Sequence, residues 1–212
     1  MGTVTAYNCG ARDYLQRASC MLAKGDRASL FYAAFEIRCG VEARMEEYLE
    51  VAESLSQKKK QGWRIAELGK NLEKAFRLGD KIVELTFEDP STGKKCSIYH
   101  TPVTSLLRKQ GQQLGNYLHS MKTYHGQDDP WWQSFKLLLQ DALYGLLTAT
   151  CGTLKGPPLL IPDGKHITTN HEIGINLEAD EFMRIVGRVG AIGRMKVTYL
   201  DKLPFKPEFS KI

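Results

Sequence analysis

The sequence lacks the runs and motifs that would assign a chemistry directly. Nowhere in the 212 residues does an apolar stretch approach ~18 residues, so no transmembrane helix is expected. The cysteines at 9, 20, 39, 96 and 151 are odd in number and contain no CxxC pair, which argues against a disulfide framework and a cysteine-rich zinc site. The opening MGTVTAYNCG has no basic region followed by an apolar run, so no secretory leader is expected. These absences together predict reduced thiols in a cytoplasmic chain. Glycine recurs at 187, 190 and 193, but GRVGAIG has neither the lysine of a phosphate loop nor the GxGxxG spacing of a dinucleotide fold. His166 and His171, with Asp163 or Glu172 nearby, match no strong metal-ligand spacing. No cofactor and no metal are predicted, and no internal repeat is visible.

Charge of one sign is also scarce, with a formal net charge of +5. The exception is 184–212, which carries seven Lys or Arg against two acids. That segment suits a phosphate backbone or an acidic partner, and Arg184, Arg188, Arg194 and Lys196 are its candidate binding residues. Apolar residues make up 42% of the chain and charged ones 25%, a balance that lets one large or two small domains bury a core.

What is present is helical periodicity. Leu15, Ala18 and Leu22 give one face of a first helix over 11–23, broken by Gly25. Asp26 is placed to cap a long second helix from Arg27 to about Gln57. Two apolar rows run along it, one through Phe31, Phe35, Met45 and Leu49, the other through Leu30, Ala34, Ile37, Val41, Tyr48 and Leu55. Two rows imply contacts on more than one side. Gly40 within it allows either a close neighbouring helix or a bend. Lys58, Lys59 and Lys60 read as a solvated helix terminus opposing the dipole.

A third helix is expected over 63–78, then two strand-like runs, KIVELTF and CSIYH, joined by a turn rich in Pro, Ser and Gly. Pro102 opens a fourth helix, and Asp129 with Pro130 starts a heavily apolar one that ends near Thr150. Trp131 and Trp132 on it either anchor an interface or close the core. CGTLKGPP breaks the helical pattern, and MKVTYL reads as a final strand. The expected fold is therefore α+β. A mainly helical bundle occupies 1–152, with a hairpin near 81–100, and a small β-rich or α+β region over 153–212 packs on it.

Polar residues on the helices supply the candidate sites. Arg38 and Glu42 are four apart and share a face. They form either a structural ion pair or an anion contact in which Glu42 orients Arg38. Arg44 lies at a different helical angle. His119, eleven residues after Arg108 and on roughly the same side, is the best-placed proton-transfer histidine. The coarse helix pattern over 11–150, with polar Arg and His, resembles the HEPN superfamily of ribonucleases and their inactive relatives. Their mark is an arginine, four to six intervening residues and a histidine. Neither Arg38 nor Arg108 has a histidine at that spacing, so no catalytic role is carried over. The leading expectation is an interaction protein that binds a protein partner or itself, with RNA or DNA contact through the basic C-terminal segment and no membrane association. The alternative is a metal-independent ribonuclease using His119 with Arg38 or Arg108.

Overall fold

The computed structural model describes residues 8–52, 55–89, 92–119, 123–157, 159–160, 167–168 and 194–209. Helix α1 (Ala11–Lys24) ends at Gly25, whose φ of 73° reverses the chain. Asp26 then caps α2 (Arg27–Glu50), accepting from the Ser29 backbone N–H at 3.0 Å. The buried residues of α2 include Leu30, Ala33, Ile37, Val41, Met45 and Tyr48, which face several neighbours, as two apolar rows require. Phe35 departs from its row and is exposed. Gly40 marks a close approach: a Cβ there would lie 2.6 Å from Leu146 Cδ2 and 3.1 Å from Tyr14 Cβ.

Helix α2 stops seven residues earlier than its periodicity predicts, because the chain turns to bury Ala52 and Leu55. The Ala52 N–H donates to Leu49 O at 3.0 Å, and the Lys60 ammonium bonds Glu50 O at 2.9 Å. A single turn, α3 (Gln57–Lys60), precedes α4 (Ile65–Phe76). Trp63, expected inside the third helix, therefore lies outside it. At the other end, the left-handed Arg77 (φ 53°) closes α4 before Leu78.

The hairpin is β1 (Ile82–Glu88) against β2 (Lys95–His100), antiparallel with Leu85 opposite Ile98. Helix α5 (Ser105–Tyr117) begins at a Thr104 cap rather than at Pro102. The Asp80 carboxylate reinforces that start by accepting the Ser105 N–H at 2.7 Å. Helix α6 (Trp131–Cys151) opens with Asp129 Oδ1 accepting the Trp131 N–H at 2.9 Å. Trp131, Trp132 and Phe135 gather round Phe31, with ring centroids 5.3–6.4 Å from it. Short strands β3 (Leu159–Leu160) and β4 (Ile167–Thr168) pair with each other. Strand β5 (Arg194–Leu200) pairs with the free side of β1, which gives the order β2–β1–β5. Leu85, Phe87, Ile98 and Leu154 form a small core beneath this sheet.

The architecture is α+β, a helical bundle with a three-stranded antiparallel sheet. No helix among the described residues is long and apolar enough to cross a membrane. Arg184, Arg188, His166, His171 and the glycines at 187, 190 and 193 lie outside the described residues.

A buried polar junction joins α2, the β2–α5 connection and the end of α6. Arg44 is 2% exposed; its Nε donates to Ala149 O at 2.9 Å and its Nη2 to Gly152 O at 2.8 Å. Glu47 pairs with Arg44 Nη1 at 2.7 Å. The Tyr48 hydroxyl donates to Thr101 O and reaches Ala149 O, while the Thr101 hydroxyl also donates to Ala149 O at 2.9 Å. His100 lies alongside with its ring centroid 4.6 Å from that of Tyr48, and its Nδ1 is 3.2 Å from Leu154 O. A carbonyl partner requires Nδ1 to carry the proton. Burial pushes the His100 pKa down to about 3, so the imidazole is neutral in the folded protein. Its unfolded value is about 6.5. The stability it contributes is complete above that value and is lost as pH falls towards 3, since only the unfolded chain then takes up the proton. Urea unfolding between pH 6.5 and 5 should show this loss, approaching about 1.4 kcal/mol per pH unit for one proton. The slope should be shallower in H100Q, and an unchanged slope would contradict the assignment.

Candidate functional site

One face of α2 carries Arg38, Glu42 and Glu46, spaced four and eight residues along the helix. Arg38 Nε lies 3.0 Å from Glu42 Oε1, an ion-pair contact without the alignment of a hydrogen bond. Burial lifts the Glu42 carboxyl above its usual range, and the Arg38 charge offsets only part of that. The rest of the guanidinium reaches outward from α2. Nη2 donates to Trp63 O at 3.2 Å, and Nη1 makes a long contact of 3.5 Å with Gly111 O. The guanidinium crosses α5 directly over Gly115, where a Cβ would sit 1.8 Å from Nη1. Only glycine leaves room for it.

Glu46 completes the row. Its carboxylate accepts the Gly62 N–H at 2.9 Å. Asn71 Nδ2 donates to Lys59 O at 2.8 Å, and Lys60 is occupied by Glu50 O. The backbone of 57–64 is thus tied down at Lys59, Gly62 and Trp63, and Lys58, Lys59, Trp63 and Arg64 of this stretch are exposed. They border a cleft of about 660 Å³ that Glu67, Lys70 and Asn71 of α4 complete. Four cationic side chains face one carboxylate there. Glu67 pairs with Arg64 at 2.9 Å, but both side chains are more than 60% exposed, so the pair is weak. Among the described residues, Lys58, Lys59 and Lys70 have no ion-pair partner. Trp63 is 67% exposed, and among the described residues its one ring contact is the Arg64 guanidinium, 5.2 Å from the ring centroid. A shallower depression of about 410 Å³ shares Lys70 and continues along the α4–α5 seam to Lys109.

The sequence-predicted residues are distributed differently. Arg108 Nη1 donates to Gly69 O at 3.2 Å, which ties α5 to α4. His119 is exposed just beyond α5, and among the described residues no hydrogen bond or ion pair joins it to Arg38 or Arg108. The neighbouring His125 instead pairs with Asp129 at 2.8 Å and stacks on Trp131. Arg194 and Lys196 lie on the edge strand β5, opposite Glu88 and Thr86. Burial raises the thiols of Cys39 and Cys151 to about 11, so neither is a thiolate at neutral pH. No group of three or more His, Cys, Asp or Glu side chains placed to hold a metal occurs among the described residues.

Trp63, Lys58, Lys59, Lys70 and Lys109 were not singled out by the sequence as binding residues. The available signal was the continuation of the Arg38–Glu42 spacing to Glu46, followed by a Gly–Trp–Arg stretch before a helix. The anchoring can be tested with G115A, whose added methyl displaces the Arg38 guanidinium from Trp63 O without touching the bundle core. Loss of one charged hydrogen bond should raise the open population of the connection about tenfold. Limited trypsin digestion read by mass spectrometry should then cleave after Arg64 correspondingly faster, in G115A and in E46A alike. Cleavage at the wild-type rate would contradict the anchoring. No protein-family model, curated protein sequence or solved structure matches this chain, so the functional reading rests on this geometry.

Proposed function

We propose that this chain is a binding protein that docks an extended polyanion in the cleft beside Trp63. The observation that supports this most is the excess of cations round the cleft: Lys58, Lys59, Arg64 and Lys70 face Glu67 alone. Like charges that line one cleft repel. A bound chain of negative charge relieves that repulsion and releases its own counterions. The continuation of the depression past Lys70 to Lys109 suits an extended ligand better than a single small anion.

The ribonuclease alternative receives less support. It needs an arginine free to meet a phosphate, yet Arg38 is engaged by Glu42 and Trp63 O, and Arg108 by Gly69 O. A protein partner or a second copy remains the second reading. It is favoured by Tyr32 and Phe35 on α2, three residues apart and 63% and 46% exposed.

The polyanion reading is tested with K58E/K59E/K70E on a phosphate-polymer column. All three side chains border the cleft and lack carboxylate partners among the described residues, so reversal should leave the fold intact. Wild-type protein should be retained at low salt and elute as salt rises, and the variant should pass through. Equal retention of the two proteins, or none of wild type at low salt, would contradict the proposal.

A further inference from the structure

We infer that the ligand of the cleft is an unpaired nucleic-acid strand, held with one base stacked on Trp63 and its flanking phosphates on Lys58, Lys59 and Lys70. This rests on the polyanion reading and narrows it to one chemical class.

The indole provides the discriminating chemistry. The other two tryptophans are committed to the protein's own packing: Trp131 stacks on His125 and packs against Phe135, and Trp132 donates its indole N–H to Gly126 O at 2.9 Å. Trp63 is on the same side of the molecule as the cations and has no such engagement among the described residues. An acidic peptide would satisfy the lysines but offers no regular supply of flat rings. A nucleic-acid strand alternates the two features the cleft presents, negative phosphate and planar base. In a duplex both faces of each base are already stacked, so the ring can be used only by an unpaired strand.

The loop geometry adds preorganisation. Gly62 N–H is fixed by Glu46, and Trp63 O is fixed by Arg38. The indole is therefore carried on a backbone that needs little ordering when a base arrives. Arg64 already sits over the ring. Its guanidinium can remain on one face as a cation–π partner while a base occupies the other. The depression along α4 to Lys109 gives the strand a path beyond the first nucleotides. Arg38 is a positioning residue in this scheme, since it touches the loop and not the strand.

The experiment measures fluorescence anisotropy of the full chain with a labelled 12-nucleotide oligouridylate, with a duplex of the same length, and with inorganic polyphosphate as competitor. The single strand should bind more tightly than the duplex. W63A should weaken oligouridylate binding by on the order of tenfold, W63F should retain most of it, and polyphosphate should bind both variants as it binds wild type. With three lysines each neutralising one phosphate, log affinity against log salt should slope at about −2, and K58Q/K59Q should make it shallower by about 1.4. Equal affinity for strand and duplex, or W63A indistinguishable from wild type, would overturn the strand assignment. If polyphosphate still bound, the polyanion reading would stand. Absence of binding to both oligouridylate and polyphosphate would overturn the two together. Because Trp63 is exposed, W63A is not expected to unfold the protein, and retention of affinity by W63F separates loss of the ring from loss of the loop.

Discussion

The guanidinium of Arg44 meets the last carbonyls of α6, Ala149 O and Gly152 O, at the point where the negative end of that helix dipole is buried. Ala149 O also receives the hydroxyls of Tyr48 and Thr101. Three elements therefore converge on one helix end: α2 through Arg44 and Tyr48, the β2–α5 connection through Thr101, and α6 itself. Arg12 of α1 adds a contact to Thr150 O at 3.3 Å. Desolvating a charge here is costly, and the arrangement offsets that cost because Glu47 pairs with Arg44 while the carbonyls fill its remaining donors. Removing the arginine alone would take its donor from Gly152 O and leave Glu47 without this partner, at a cost of about 1–3 kcal/mol. Neutral His100 fits the same environment, since a second positive charge beside Arg44 is disfavoured both by burial and by repulsion.

With its lower half fixed in this way, α2 is free to present a different face to α4 and α5. Arg38 and Arg44 are six residues apart, which is ~240° round the helix. One faces the α6 terminus and the other faces the α3–α4 connection. The row Arg38, Glu42 and Glu46 then determines where Trp63 sits, because it binds the backbone of that connection rather than the side chains of the cleft. Among the described residues Lys58, Lys59 and Lys70 are left without an ion pair, and Glu42 and Glu46 of α2 are used on Arg38 and on a backbone amide. Fold and candidate site are thus linked through one helix with two polar faces.

Much of the bundle was legible because its signals are local. The Asp26 cap, the Gly25 reversal and the Asp129–Pro130 start each act within a few residues, and the structure has helices beginning where they indicate. The hairpin was legible from its turn residues, but its register was not, since both faces carry apolar groups. The end of α2 was misplaced because the turn at Ala52 and Leu55 comes from burial, not from a breaker. The roles of the two arginines were hidden for a similar reason. Arg44 bonds carbonyls 105 and 108 residues away, and Arg38 holds a carbonyl 25 residues away. Backbone acceptors have no residue-type signature, so spacing alone shows a polar pair and not what it binds. The same limit made Lys58 and Lys59 look like an ordinary helix terminus, until the placement of Trp63, Arg64 and Lys70 gave them a common cleft.

The proposed strand would engage the anchored loop and not the edge strand or the α2 aromatics. Nuclear magnetic resonance titration of isotopically labelled full chain with the 12-nucleotide oligouridylate tests it residue by residue. Backbone amides between 58 and 71 should shift, together with the Trp63 indole resonance, while the indole resonances of Trp131 and Trp132 stay in place. Shifts confined to β5 or to the Tyr32–Phe35 face of α2, with the Trp63 indole unmoved, would contradict binding at the proposed site.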